Sequence, residues 1–461
     1  MSTTSQPSLD LRRLRLELAG EVIGPCDASY DAARSVFFPT VDKRPAAIVR
    51  PVDDAAVASV LALARETGVE LAVRGGGHSL AGHGVSDGGL VLDLAWLDEL
   101  EIDPHRRVAT AAAGLTAGKV TKEAGAHGLG IGFGDTASVG IGGLTLGGGV
   151  GYLVRKHGLT VDSLLSARVV TADGRVLDVD AYNHPDLFWA IRGGGGNFGV
   201  VTSFGYRLHP DDGGTGGILV LPATPETLVR FVEAADEAPD ELSTIANVMP
   251  APPMPFLSEE HHGRLVLLAM LYQAGPREDA QRALAPFRSV AEPLADLLRP
   301  LSYDEMYPPE NGAGPRASGR TLFLDGLDHG VAAEILGRLA ASTAQMSVAQ
   351  LRVLGGAMAR VPADATAFAH RARRIMVNLG AVHASPDEAR ADEAWLDAFA
   401  ESLRGGDDDA YVNFLGDEGR ERARAAYPGE TWSRLREVKR RYDPDNVFRV
   451  NHNVPPADVR R

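Results

Sequence analysis

The chain has 461 residues, carries 46 Lys and Arg against 61 Asp and Glu, and has a formal net charge of −15. This acidic balance argues against nucleic acid as the main partner, because phosphate binding needs a basic surface. No apolar run reaches the roughly 18 residues that a membrane helix needs, and the N-terminus lacks the apolar core of a signal peptide. The single cysteine, Cys26, excludes an internal disulfide. We therefore expect a cytoplasmic protein with no membrane partner.

The N-terminal half predicts alternating strands and helices. Residues 46–49 and 70–73 are short apolar runs typical of strands. Between them, an apolar stripe predicts a helix that Asp53 would cap and Gly68 would end. The pattern then predicts, in chain order, a strand at 90–94, a strand at 108–112, a helix at 117–126, a hairpin at 165–179 and a strand at 200–204.

After about residue 208 the composition changes. The glycine-rich and acidic segment 211–217 is typical of a linker. The segment that follows, 209–405, predicts an α+β domain with helices on one face of a sheet. Its helical patterns lie near 225–237, 277–290, 330–345 and 387–404, and its strand-like runs lie at 265–271 and 376–382. The last part, 406–461, contains a helical pattern near 430–442.

Glycine is abundant, with 52 residues, and clustered at 75–77, 140–151 and 193–199. Glycine lets a backbone approach a ligand closely. Three glycine clusters in one half of the chain therefore predict a large ligand that is bound by main-chain groups. The first cluster follows a predicted strand and would expose several N–H groups, a nest that suits a pyrophosphate. The alternative is a tight turn with a surface histidine, and the motif alone leaves both open. The residues of this motif are Arg74, Gly75, Gly76, Gly77, His78 and Ser79.

The second cluster contains glycine spacings that resemble a dinucleotide-binding fingerprint. That fingerprint needs a following helix, and each glycine in a helix interior costs about 1 kcal/mol. We therefore expect a non-helical loop against a flat or extended ligand, and we keep an NAD-dependent reductase as an alternative. The residues of interest are Ser138, Val139, Gly140, Gly142, Gly143 and Gly149.

The third cluster has four consecutive glycines at 193–196, followed by Gly199 and Val201. No turn needs four glycines, so close approach to a ligand is the better explanation.

Near the C-terminus, a predicted strand places Tyr411 and Asn413 on the same face. Asn451 and Asn453 share this spacing. Paired amides can bind a heteroaromatic edge or a substrate, although asparagine more often satisfies neighbouring backbone groups.

Other charged or polar clusters favour structural interpretations. His261 and His262 are adjacent and would point in different directions, so we expect no metal site there. The acidic run 407–409 predicts a solvated loop. Arg371, Arg373 and Arg374 predict an exposed helix face.

Together, the motifs resemble the FAD-linked oxidases of the vanillyl-alcohol-oxidase type, in the berberine-bridge-enzyme-like branch. The resemblance covers most of the chain and rests on RGGGHSLAGH, SVGIGGLTLGGGVGYLVRKHGLTVD, DLFWAIRGGGGNFGVVT, YVNF, YDPDNVF and NHNVPP. It implies an α+β fold in two parts. Residues 1–208 and the tail 406–461 would form the FAD-binding domain, and 209–405 would form an inserted α+β substrate domain.

The resemblance also implies how FAD is held. In the family, the histidine at the position of His78 is bonded to the 8α-methyl group of the flavin. Many relatives add a cysteine bond at the position of Thr136, so we expect a single covalent link here. The candidate cofactor-binding residues are Arg74, Gly75, Gly76, Gly77, His78, Ser79, Ser138, Val139, Gly140, Gly142, Gly143, Gly149, Gly199, Val201, Asn451 and Asn453.

The implied reaction is hydride transfer from a small-molecule alcohol or amine to FAD, followed by reoxidation with O2 to give H2O2. The small residue Val139 favours an oxidase, because the family places control of oxygen access there. Some relatives carry a tyrosine at the position of Val150. The alternatives are a flavin dehydrogenase with another electron acceptor and a non-catalytic flavoprotein.

For an alcohol substrate, the catalytic candidates are Tyr411, as the base, and Asn413 beside it. A phenol has a pKa near 10, so Tyr411 would need positive charge or a hydrogen-bonded partner. His83 is the second candidate base.

The substrate would be recognised by side chains from roughly 240–385. Some of these could line an apolar pocket or belong to the core, namely Met249, Met254, Phe256, Tyr272 and Tyr307. The oligomeric state is not indicated, and a homodimer is the commonest closed assembly.

Overall fold

The N-terminal part of the protein contains a mixed sheet that ends beside the first glycine motif. A computed structural model describes residues 9–307, 312–406 and 408–458. In the order of their pairing, the strands of this sheet are Gly20–Ile23, Ala47–Pro51, Leu90–Asp93 and Leu71–Arg74. The last three run parallel, so their carboxyl ends meet at one edge.

The predicted strand–helix–strand unit is confirmed. The helix Asp54–Thr67 joins two of the parallel strands; the Asp53 side chain caps its first turn, and Gly68 ends it with a left-handed φ of 68°. Its buried face includes Val57, Val60 and Leu61, as the apolar stripe predicts.

A second, antiparallel sheet packs beside the first. Its strands, in the order of their pairing, are Leu100–Asp103, Val108–Ala112, Val200–Arg207, Leu164–Val170 and Val176–Asp180. The predicted hairpin is confirmed, with Gly174 in the left-handed region. Two short strands, Leu129–Gly130 and His209–Pro210, pair with each other.

Short helices fill the loops of this part, and one of them corrects a prediction. Residues 140–151 were expected to be non-helical, but Ile141–Gly147 form a helix. Burial of Ile141 and Leu146 in the core outweighs the helix cost of the glycines. The other helices are Leu11–Glu17, Tyr30–Arg34, Ala117–Gly125, Val154–His157 and Pro185–Ala190, and 3₁₀ turns occur at Leu94–Trp96 and Thr160–Asp162.

The second half of the chain forms a large antiparallel sheet. In the order of their pairing, its strands are Ala295–Asp296, Gly214–Pro222, Leu265–Ala274, Leu242–Pro250, Met346–Val353, Ile375–Val382 and Ala317–Leu324. The strand Arg299–Leu301 also pairs with Gly214–Pro222.

The linker predicted at 211–217 is wrong from Gly214 onward, because a strand begins there. A side chain at Gly214 would meet the Tyr272 ring at 2.8 Å, and one at Gly217 would meet Leu297 O at 2.5 Å. These glycines therefore let neighbouring strands pack closely.

Helices cover one face of the large sheet, as predicted. Alternation along its strands turns Ala349 and Leu351 towards these helices and turns Gln350 and Arg352 to the opposite face. The covering helices are Pro225–Asp236, Arg277–Arg288, His329–Ala340 and Pro386–Arg404. Shorter elements are Gly356–Arg360 and the 3₁₀ turns Glu259–His261 and Tyr303–Met306. Within the described ranges, no helix has both the length and the apolar character of a membrane span.

The exposed helix face predicted for the arginines at 371–374 is wrong. These residues precede the strand Ile375–Val382 in a turn. Arg371 is buried and forms a two-bonded ion pair with Asp162, at 2.7 and 2.8 Å. Arg373 donates to Asp409, which also accepts from His370. Asp409 is therefore not part of a solvated acidic loop, and residue 407 lies outside the described residues.

The C-terminal tail returns to the N-terminal part. It contains the helices Gly419–Ala425 and Glu430–Tyr442, the second as predicted. Lys439 and Asp443 form a fully buried ion pair at 2.6 Å. The Lys439 ammonium group also donates to Asn197 O at 2.7 Å and to Phe448 O at 2.8 Å. This pair therefore joins the tail to the third glycine segment.

We expect Lys439→Met to lower the free energy of unfolding by about 3–5 kcal/mol, because it leaves the Asp443 carboxylate buried without its cation. Denaturant unfolding measures this change. Arg440→Met is the matched control, since its pair with Glu437 is exposed and such pairs contribute at most about 1 kcal/mol. Equal losses in the two variants would contradict the role given to Lys439.

Candidate active site

A cavity of about 510 Å³ lies where the three glycine segments, the tail and the large sheet meet. Most of the sequence-predicted site residues line it: Arg74, Gly75, Gly76, Gly77, His78, Ser79, Val139, Gly140, Gly142, Gly143, Gly199, Val201, Tyr411, Asn413 and Asn451. Ser138, Gly149 and Asn453 are not among the lining residues.

The first two glycine segments touch through their backbones. A Cβ atom on Gly76 would lie 2.2 Å from Gly140 N, and one on Gly140 would lie 2.2 Å from Gly76 N. Real Cβ atoms never approach so closely, so both positions need glycine for this contact. The contact brings His78 Nε2 to 2.8 Å from Ser138 Oγ. Phe37 stacks on the His78 ring with centroids 4.0 Å apart, which further fixes the imidazole.

Other glycines leave space that a ligand would fill. A Cβ atom on Gly143 or on Gly196 would meet nothing within 4 Å, although both residues line the cavity. Three buried polar atoms on lining residues, Arg74 Nη1, Tyr427 Oη and Asn451 Oδ1, have no hydrogen-bond partner among the described residues. Open glycine backbone with unpaired donors and acceptors fits an extended polar cofactor such as FAD.

Tyr411 and Asn413 meet, but not on a strand. The predicted strand is wrong, because Val412–Phe414 form a 3₁₀ turn that begins at Tyr411. Tyr411 Oη accepts from Gly149 N at 2.9 Å and from Asn413 Nδ2 at 3.0 Å. Asn413 Nδ2 also donates to Leu144 O at 3.0 Å, which holds the amide in place. The turn therefore brings the Asn413 amide to the phenol oxygen, which also accepts from the backbone N–H of Gly149 in the second glycine segment.

Burial raises the pKa of Tyr411 to about 12, and the Gly149 N–H, the Asn413 amide and the nearby Arg352 charge act in the opposite direction. Arg352 lies on the large sheet and pairs with Asp135 at 2.6 Å. It also donates to Val150 O at 2.9 Å.

Sequence reasoning missed Arg352. The alternating pattern of the strand Met346–Val353 would have placed it with Gln350 on the uncovered face.

The second candidate base, His83, also lines the cavity. Its ring meets His452 edge-on, with centroids 4.6 Å apart. Burial lowers the pKa of His83 to about 3 and that of His452 to about 4. A group with such a low pKa holds a proton poorly at neutral pH, so His83 is a poor general base.

None of the five side chains considered for the substrate pocket lines the cavity in the described part of the chain. Tyr272 and Tyr307 are buried in the core. The side chains that do line it include several that sequence reasoning missed: Phe37, Phe38, Leu80, Gln350, Arg352, Asn378 and Phe414. Leu80 and Phe414 belong to the motifs RGGGHSLAGH and YVNF. The others come from the segment before the first parallel strand, Ala47–Pro51, or from strands of the large sheet, and no motif marks them.

Comparisons with known proteins support a flavin site. Residues 45–180 match the family model of an FAD-binding domain, and residues 410–455 match the model described as "Berberine and berberine like". The chain is 31% identical over 461 residues to (R)-6-hydroxynicotine oxidase of Paenarthrobacter nicotinovorans, covering 96% of this chain and 98% of that protein. It is 30% identical to the FAD-linked oxidoreductase YgaK of Bacillus subtilis (strain 168), covering 96% of this chain and 98% of that protein.

Solved structures give the same two-domain fold. The crystal structure of 6-hydroxy-D-nicotine oxidase from Arthrobacter nicotinovorans superposes with a TM-score of 0.84 at 29% identity, covering 96% of this chain and 99% of that chain. The berberine-bridge-enzyme-like protein 1 of Physcomitrella patens has a TM-score of 0.88 at 23% identity, covering 98% of this chain and 100% of that chain. The predicted family and fold class are confirmed: the chain belongs to the FAD-linked oxidoreductases of the berberine-bridge-enzyme-like family.

Proposed function

We propose that the protein is an oxidase that removes a hydride from a CH–OH or CH–NH group of a small molecule and passes the electrons to O2, giving H2O2. FAD, when bound, supplies the electron sink. The observation that carries the proposal is the pair of N–H groups from Gly149 and Asn413 aimed at Tyr411 Oη in the cavity wall.

The first two glycine segments would hold FAD, and His78 would form the single covalent link. The fixed His78 ring, between Ser138 and Phe37, supports this role. Glucooligosaccharide oxidase from Acremonium strictum carries a 6-S-cysteinyl, 8α-N1-histidyl FAD. Here Thr136 lines the cavity and has no thiol, and Cys26 is exposed and does not line it.

For an alcohol donor, Tyr411 would act as the general base. Two N–H donors on its oxygen offset part of the cost that burial adds to forming the phenolate, because hydrogen bonds to the charged form stabilise that form. The phenolate takes the hydroxyl proton while the carbon-bound hydride leaves. An amine donor in its free-base form needs no such step.

Reoxidation by O2 is supported by Val139, whose small side chain lines the cavity. O2 consumption with stoichiometric H2O2 distinguishes an oxidase from a dehydrogenase.

We also propose that the parts of the chain divide at 1–208, 209–405 and 406–461. Two separate hydrophobic clusters support this division, one shared by the N-terminal part and the tail, the other under the helices of the large sheet.

His78→Ala should abolish covalent attachment. After acid precipitation, the yellow colour should stay in the pellet of the wild type and pass to the supernatant of the variant. Thr136→Ala is the control and should keep its colour in the pellet, since no second link is expected. A yellow pellet from His78→Ala would disprove the link through His78.

Tyr411→Phe should slow anaerobic flavin reduction by an alcohol donor about 10²–10⁴-fold, the usual effect of losing a general base. The donor is the one found by screening alcohols, amines and sugars for H2O2 formation. The wild-type rate should rise with pH, because burial raises the pKa of Tyr411 to about 12 and only the deprotonated phenol acts. The variant should lose this rise.

Tyr206→Phe is the control for this experiment, because Tyr206 is buried, bonds to Thr145 and does not line the cavity. Wild-type rates in Tyr411→Phe would exclude Tyr411 as the base. A protein that binds FAD and is reduced by no donor would instead be a non-catalytic flavoprotein.

A further inference from the structure

Tyr427 has a buried hydroxyl group without a partner. The residue is only 2% exposed, and its Oη atom has no hydrogen-bond partner among the described residues. Native structures pair nearly all such groups, because an unsatisfied buried hydroxyl costs stability. A partner supplied by a ligand would resolve this cost.

The surrounding structure fixes the Tyr427 side chain. It lies between the helices Gly419–Ala425 and Glu430–Tyr442, and its backbone N–H donates to Arg424 O at 2.9 Å. Trp432 stacks on its ring with centroids 6.1 Å apart and an angle of 25°. The hydroxyl group is therefore held where it is by packing on the ring.

The hydroxyl group lies at the third glycine segment. Tyr427 lines the cavity together with Gly195 and Gly196, and its Oη would lie 3.7 Å from a Cβ atom built on Gly195. On the other side of Gly196, Asn451 Nδ2 donates to Gly196 O at 3.1 Å. The Asn451 Oδ1 atom is buried and, like Tyr427 Oη, unpaired among the described residues.

The two unpaired atoms have opposite hydrogen-bonding roles. Burial raises the pKa of Tyr427, so its hydroxyl group stays protonated and can donate. Asn451 Oδ1 can only accept. The cavity wall at Gly195 and Gly196, which both side chains reach, suits a chain that bears hydroxyl or phosphate oxygens, and it does not suit an apolar ring.

We propose that Tyr427 binds the cofactor, donating a hydrogen bond from its hydroxyl group to an oxygen of the ribityl–diphosphate linker of FAD. This assignment rests on the proposed function for the identity of the ligand. Nothing in the sequence around Tyr427 indicated such a role.

The test uses the full-length apoprotein of His78→Ala, in which binding is non-covalent. It is titrated with FAD while flavin fluorescence is followed. The added substitution Tyr427→Phe should weaken FAD binding about tenfold, because the ring stays and one hydrogen bond is lost.

The same titrations with FMN and with riboflavin identify which oxygen of the linker accepts the hydrogen bond. If Tyr427→Phe weakens the binding of all three flavins, the hydrogen bond goes to the ribityl chain. If it weakens the binding of FAD and FMN but not of riboflavin, the hydrogen bond goes to phosphate. Either result supports the proposal.

Tyr272→Phe is the matched control. Tyr272 also has a buried hydroxyl group without a partner in the described ranges, and it does not line the cavity. Both substitutions remove an unsatisfied polar group, so both should leave the Tm of the apoprotein equal or higher. Only Tyr427→Phe should weaken FAD binding. A purely structural role would instead lower the Tm and the affinity together.

FAD affinity of Tyr427→Phe within about twofold of its parent would overturn the role of Tyr427 and leave the proposed function intact. The same conclusion follows if the Tm of its apoprotein falls. Failure of the wild type and the parent to bind FAD would overturn both.

Discussion

The contact between the backbones of Gly76 and Gly140 is the constraint on which the site depends. It joins a loop at the end of a parallel strand to the residue that precedes the helix Ile141–Gly147. Because a Cβ atom on either residue would lie 2.2 Å from the other backbone, the approach is possible only for two glycines. The loop geometry that puts His78 beside Ser138 follows from this contact. The glycine clusters thus serve two purposes. Some glycines let two backbone segments pack against each other, and others, such as Gly143, leave open space at the cavity wall.

Buried charges hold the remaining walls of the cavity in place. Lys439 joins the tail to Asn197, and the Asn197 side chain in turn accepts from Val454 N at 2.9 Å. Arg352 of the large sheet and Arg371, in the turn before the strand Ile375–Val382, join the second half of the chain to Asp135 and Asp162 of the N-terminal part. Buried ion pairs gain little net stability, because desolvation offsets their attraction. Their requirement for matched partners instead favours one relative position of the segments that form the cavity.

The features that the sequence predicted correctly are local. Asp53 and Gly68 define a helix through contacts within one turn, and the pair at 173–174 defines a hairpin by its own turn chemistry. The errors occurred where distant residues decide the structure. Packing of Ile141 and Leu146 in the core allows a glycine-rich helix, and pairing with Asp162 removes Arg371 from the surface.

The candidate site shows the same difference between features set by local sequence and features set by distant residues. The glycine motifs predicted most of the residues on the wall where we propose that FAD binds, because close backbone approach requires a specific residue type. The wall formed by the large sheet could not be predicted, since Gln350, Arg352 and Asn378 meet there only through the pairing of strands that are separate in the sequence. Even Tyr411 and Asn413, which the spacing brought together, meet through a 3₁₀ turn and not through strand alternation.

Two buried tyrosines, Tyr411 and Tyr427, line the same cavity but have different hydrogen-bonding surroundings. Burial raises the pKa of both Tyr411 and Tyr427. Two N–H groups point at the oxygen of Tyr411 and oppose part of this rise, because they stabilise the phenolate. No donor among the described residues reaches the oxygen of Tyr427, so its proton stays in place. Burial keeps His83 and His452 neutral, and Asp135 is paired with Arg352. These surroundings support our proposals that Tyr411 accepts a proton from a substrate and that Tyr427 donates a hydrogen bond to the cofactor.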